Sequence, residues 1–186
     1  LEAFLISLST VAIAEMGDRT QLLSLVLAAK FRKPWQIIAG ILLATIANHA
    51  LAGFIGVYFG RYLTPRVLDG VVGASMLGMA LWTLKPDKLD ENEQISGRSA
   101  FLATLIAFFI AEIGDKTQIA TVALAAAYAN LLAVVAGTTT GMMLANVPVV
   151  FLGSSFAQRL PMRQIHLLAA ALFAALGALF LFRAFF

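Results

Sequence analysis

The chain has 186 residues, of which 61% are hydrophobic and 12% charged, with a formal net charge of +3 and no cysteine. A soluble domain is about 45–50% apolar and about 25% charged, so this composition excludes one and points to an integral membrane protein. Disulfides and thiolate metal sites are excluded too, and basic residues placed singly between apolar runs suit membrane-helix ends better than nucleic acid.

A membrane-spanning helix needs about 20 apolar residues, and six stretches meet that requirement. The first covers residues 3–29. The sequence opens directly on it, without a basic n-region or a small-residue cleavage site, so no signal peptide is expected. The span is longer than the hydrocarbon core needs, so it should tilt or break, and Gly17 is the natural break point. Lys30, Arg32, Lys33 and Pro34 separate it from a second span over 35–60, which carries Asn48 and His49 and ends in Gly56-x-x-x-Gly60, a close-packing signature. Thr64-Pro65 reads as a helix start, and a third span follows over 67–84, with Gly73 and Gly78 as small packing residues.

Residues 85–99 are polar and mixed in charge, and divide the chain into 1–84 and 100–186. The fourth span covers 100–128. After a turn at Asn130, the fifth covers 131–156, with Gly137-x-x-x-Gly141, Asn146 and Pro148. Arg159, Pro161 and Arg163 mark the last turn, and the sixth span covers 165–182. Met142 and Met143 read as packing residues.

The two parts repeat. Residues 14–31 and 111–128 are identical at nine of 18 positions at a shift of 97. Gly40 matches Gly137 at that shift, and Asn48 matches Asn146 after a slip of one residue, which leaves Val147 opposite His49. Three spans per part is an odd number, so the second part enters the membrane from the opposite side. The expected fold is therefore all-α, six transmembrane helices as two inverted three-helix repeats. Basic residues favour the side holding the first turn, the 85–99 loop and the fifth-to-sixth turn. That side is expected to be cytoplasmic, with both termini outside.

The repeat contains the informative stretch, Ala14-Glu15-Met16-Gly17-Asp18-Arg19-Thr20-Gln21, which returns as Ala111-Glu112-Ile113-Gly114-Asp115-Lys116-Thr117-Gln118. Charged groups in lipid are costly and mark partners or tasks. Residues three apart on a helix share a face, so Glu15 with Asp18 and Glu112 with Asp115 should converge as four carboxylates. The hydroxyls of Thr20 and Thr117 and the amides of Gln21 and Gln118 lie close by, and Asn48 and Asn146 are further candidates. Oxygen donors of this kind suit Ca²⁺, Mn²⁺ or Mg²⁺. Arg19 and Lys116 read as tethers that pair one carboxylate or cap a broken helix. Four acids and two cations leave two negative charges, which one divalent ion neutralises. When that ion leaves, protons must replace it, because bare like charges are not tolerated in low dielectric. A site that holds metal or protons by turns performs cation–proton exchange.

Other readings are weighed on the same residues. The charged strings could be ion pairs that only lock the fold, His49 could relay protons or simply pack, and the Gly-x-x-x-Gly pairs could serve the monomer or a homodimer. An exporter of another small solute, such as an amino acid, would need groups for a carboxylate and an amine. An intramembrane enzyme would need a catalytic arrangement that the chain lacks, so no enzyme activity and no resident cofactor are expected. In a non-transporting assembly subunit the acids would be replaceable.

The duplicated Glu-x-Gly-Asp-Lys/Arg-Thr string, one copy in the first span and one in the fourth, resembles the signature of the small GDT-type cation transporters. That family includes Golgi Ca²⁺/Mn²⁺–proton exchangers of eukaryotes and manganese exporters of bacteria and chloroplasts. The resemblance implies that Glu15, Asp18, Glu112 and Asp115 bind metal, with Thr20, Gln21, Thr117 and Gln118 lining the site. It also implies a bacterial inner-membrane form, manganese efflux driven by inward protons, and Mn²⁺ or Ca²⁺ with protons as the species handled.

Overall fold

The computed structural model describes residues 1–85, 99–152 and 161–186. Most of the expected 85–99 loop, the end of the expected fifth span and Arg159 lie outside the described residues. Eight helices are described: α1 (Glu2–Glu15), α2 (Arg19–Phe31), α3 (Pro34–Gly60), α4 (Pro65–Thr83), α5 (Ala100–Glu112), α6 (Lys116–Tyr128), α7 (Leu131–Leu152) and α8 (Met162–Phe185).

The first and fourth expected spans are each two helices rather than one. At about 1.5 Å per residue, the 13 residues of α2 reach about 20 Å, short of a hydrocarbon core of about 30 Å. Neither helix of such a pair is long enough to cross alone. Only α3, α7 and α8 among the described helices are long and apolar enough to cross a membrane singly. Leu43, Ile46 and Phe54 on α3, Leu102, Ile106 and Ile110 on α5, and Leu167 and Leu168 on α8 are exposed, as expected where lipid is the solvent.

The repeat is visible in the backbone. The starts of α2 and α6, α3 and α7, and α4 and α8 are each 97 residues apart, as are the ends of α1 and α5. Left-handed residues recur at the same shift, Gly17 with Gly114 and Arg32 with Ala129. Thr64 is the N-cap residue of α4 with Pro65 in its first turn, as Thr-Pro foretells, and Asn130 Oδ1 accepts from the Ala133 N–H at the start of α7.

The two parts are interlocked. The helix α1 packs on α7 and its counterpart α5 on α3, while α4 packs along α8. One core gathers Val11, Leu23, Leu27, Ile37, Ile41, Phe108 and Met142; the other gathers Val72, Met76, Met79, Leu124, Phe173 and Phe180. Both Gly-x-x-x-Gly pairs work inside the monomer. A Cβ at Gly56 would strike the Val122 carbonyl of α6, and one at Gly141 would lie 2.6 Å from the Leu8 carbonyl of α1. Gly78, expected to be a packing residue, has nothing within 4 Å of such a Cβ.

Gly137 and Gly78 therefore should respond differently to a larger side chain. Gly137, pressed against Phe4 and Ser7, should lose about 1–3 kcal/mol of stability as Gly137→Leu, the usual cost of overpacking. Gly78→Leu should be close to neutral. Thermal unfolding of both variants in detergent checks the contrast.

Candidate metal site

Each motif folds into a helix break. Glu15 ends α1, Met16 is extended, Gly17 takes φ 84° and Asp18 opens α2. Glu112, Ile113, Gly114 at φ 76° and Asp115 repeat the sequence of conformations. A positive φ is reached by glycine without strain. The break leaves backbone N–H groups without helical partners, and the motif glutamines satisfy one in each half. The Gly17 N–H donates to Gln21 Oε1 and the Gly114 N–H to Gln118 Oε1, both at 2.8 Å.

The outer ends of these glutamines grip the long helices. Gln21 Nε2 donates to the Ala145 carbonyl of α7 at 2.9 Å, and Gln118 Nε2 to Asn48 Oδ1 of α3 at 3.4 Å. Ala145 is thus the structural counterpart of Asn48, at a shift of exactly 97 residues. The one-residue slip that matched Asn48 to Asn146 is not the register of the structure. Asn146 corresponds to His49, so His49 does have a polar counterpart and is not opposite Val147. Asn48 Nδ2 donates to the Phe109 carbonyl, whereas Asn146 accepts from Ser24 at 2.6 Å and donates to the Met142 carbonyl. Ser24 was not singled out from the sequence; a hydroxyl inside an apolar run was its only signal.

The charged residues pair across the repeat. Lys116 Nζ lies 2.6 Å from Asp18 Oδ1, and both side chains are buried. Arg19 Nη2 lies 3.6 Å from Asp115 Oδ1 and donates to the Ala111 carbonyl in the last turn of α5. The cation of each motif thus serves the acid of the other, and Arg19 also caps a broken helix.

The expected convergence of four carboxylates becomes one of three. Oxygens of Glu15, Glu112 and Asp115 lie within 4.8 Å of one another, and all three residues are buried. Asp18 is outside this group among the described residues, held by Lys116. Both breaks have the same backbone conformations and the second leaves Asp115 with Glu112, so the difference lies in the cations: Asp18 is paired at 2.6 Å with the buried Lys116, Asp115 at 3.6 Å with the partly exposed Arg19. Thr20 Oγ1 donates to Glu15 Oε2 at 2.6 Å; Thr117 Oγ1 lies 3.2 Å from Glu112 Oε2 and 3.3 Å from Asp115 Oδ2. Glu15 Oε1 and Glu112 Oε1 are buried with no hydrogen-bond partner among the described residues. Three acids beside a single guanidinium, with Lys116 matched to Asp18, leave two negative charges.

Comparison with known proteins gives the same signature a family. The model of the family described as GDT1, divalent cation/proton antiporter, matches residues 3–91 and 100–186. A Vibrio cholerae protein named "Putative manganese exporter" is 57% identical over 169 residues, covering 90% of this chain and 84% of the relative. A GDT1-like protein of Synechocystis is 28% identical over 93% of both chains. GDT1-like protein 4 of Oryza sativa subsp. indica is 26% identical, over 92% of this chain and 70% of its own length. No solved structure matches.

The buried Lys116–Asp18 pair makes a sharp prediction. Breaking a buried ion pair by removing one member is costly, so Lys116→Met should cost about 3–5 kcal/mol. The double variant Lys116→Met/Asp18→Asn should recover much of that loss. A double-mutant cycle by thermal unfolding in detergent reads both. This chain belongs to the GDT1 family of divalent cation/proton antiporters.

Proposed function

We propose that the chain exports Mn²⁺ in exchange for protons, with Ca²⁺ as the second substrate that an oxygen-rich site admits. The observation that carries this reading is the meeting of Glu15, Glu112 and Asp115 oxygens within 4.8 Å. Donors that share one such ion lie at most about 5 Å apart, twice a bond of about 2.3–2.6 Å. Two surplus negative charges match one divalent cation. The relative named as a manganese exporter, 57% identical, favours Mn²⁺. Membership of a transporter family sets the intramembrane enzyme, the amino-acid exporter and the assembly subunit behind this reading.

In this scheme Glu15, Glu112 and Asp115 hold the ion, and Thr20 and Thr117 orient their carboxylates or add oxygens. Gln21 and Gln118 hold the breaks open rather than ligate, since their oxygens already accept from Gly17 and Gly114. Asn48 and Asn146 fix the long helices against the breaks. Asp18 is the reserve acid, neutralised by Lys116 while the other three bind. When the ion leaves, the three buried carboxylates cannot all remain charged beside one guanidinium, and protons take its place. That alternation couples the two fluxes.

The architecture we propose is six crossings in two inverted halves. The tandem pairs α1–α2 and α5–α6, together with α3, α4, α7 and α8, supply them. Both termini face outward across a bacterial inner membrane.

Flux in proteoliposomes tests the reading. Mn²⁺ movement should follow an imposed pH gradient, and Glu15→Gln and Glu112→Gln should each reduce it to the level of empty vesicles. Ca²⁺ on the same preparation ranks the two ions. Gradient-dependent flux that survives both substitutions would return the acids to a structural role.

A further inference from the structure

His49, beside Glu112, is fully buried, and among the described residues neither Nδ1 nor Nε2 has a hydrogen-bond partner. Its Nε2 lies 3.7 Å from Glu112 Oε2, outside hydrogen-bonding distance. Leaving a buried polar group unmatched costs about 1–3 kcal/mol, and in native proteins such a group commonly marks an ion or water.

The ring is held there by its neighbours. Asn48, the preceding residue, donates to the Phe109 carbonyl at 3.0 Å and accepts from Gln118. These bonds lock α3 against both sides of the second break, so the helix cannot rotate to give the imidazole another partner. The repeat supplies an internal control. Asn146, the counterpart of His49, has both ends of its amide bonded, to Ser24 and to the Met142 carbonyl. The same position is therefore filled by a satisfied amide in one half and by an unmatched nitrogen donor in the other.

We propose that His49 is a ligand of the transported ion, and that its nitrogen biases the site toward Mn²⁺ over Ca²⁺. This rests on the reading of the acids as the cation site. Donors around one ion at bonds of about 2.0–2.6 Å sit roughly 3–5 Å apart, and 3.7 Å from Glu112 falls in that range; His49 stands just outside the set of three acids whose oxygens all lie within 4.8 Å of one another, so the ion draws the ring and the acids together when it binds. An imidazole nitrogen suits a first-row transition ion, whereas Ca²⁺ is hard and takes oxygen donors. A set of carboxylates alone gives little discrimination between the two. One nitrogen supplies it, and does so on one side of the site only.

Pulsed electron paramagnetic resonance of Mn²⁺ on the purified chain reads a bound nitrogen directly, as ¹⁴N modulation of the metal signal. The chain has two histidines, so the source can be assigned. Modulation is expected in the wild type and in His166→Gln, and is expected to vanish in His49→Asn, which copies the other half. In competition binding, the preference for Mn²⁺ over Ca²⁺ should fall on the order of tenfold in His49→Asn, the lower end of the effect of altering a metal's surroundings. His49→Gln should behave likewise, which guards against a folding defect peculiar to one variant.

Bound Mn²⁺ that depends on Glu112 yet shows no nitrogen coupling in the wild type would overturn the proposal and leave the antiport site intact. Coupling that persists in His49→Asn would overturn it as well. Mn²⁺ binding that is not saturable, or that ignores Glu112→Gln, would overturn the underlying site reading and this proposal with it.

Discussion

The exchange of cations between the two motifs is the constraint on which the rest of the structure depends. A charge at bilayer depth without a partner is costly, and the ion pairs of the acidic strings run from one motif to the other. Lys116 meets Asp18, and Arg19 meets Asp115 and the Ala111 carbonyl. These contacts require the two helix breaks to face each other at short range. Such an approach is possible only where the supporting helices also come close. The glycines of α3 and α7 supply that closeness, by letting carbonyls of α6 and α1 occupy the space of a side chain. Packing and electrostatics therefore impose the same arrangement.

With Lys116 and Asp18 neutralising one another, the chemistry is left to the remaining groups. Each break needs a left-handed glycine and a glutamine that catches its N–H, and both halves meet that need in the same way. The equivalence ends at the acids. Asp115 joins the two glutamates, while Asp18 does not. Lys116 is buried, whereas the Arg19 side chain is 36% exposed. A buried ammonium has no water to solvate it and so holds its carboxylate tightly. A guanidinium that reaches solvent has a weaker hold, and its aspartate can turn to the centre.

Much of this was legible in the residues. The doubled acidic string, the break at Gly17, the helix start at Thr64-Pro65 and the close-packing glycines are local signals, and local signals survive folding. Arg19 and Lys116 were recognisable as tethers because no other role suits a cation among acids. Three features were not legible. Asp18 was counted with the other acids because the two strings are alike in sequence, whereas the unequal hold of Lys116 and Arg19 on their aspartates is a matter of distance and burial. Asn48 was paired with Asn146 because chemical identity is conspicuous in sequence, whereas register is fixed by backbone spacing that only the structure displays. Gly78 resembled Gly73 in sequence, but which side of α4 meets α8 depends on tertiary contacts.

The span of sequence between Asp18 and Lys116 has a consequence in time. The two are 98 residues apart, and a ribosome adding about 5–20 residues per second reaches the lysine about 5–20 seconds after the aspartate. Through that interval the first half must reside in the translocation machinery or the lipid with its aspartate unanswered by the lysine it will finally meet. Assembly of this protein therefore cannot be completed helix by helix. The pairing that ties the first break to the second waits until the second has been synthesised.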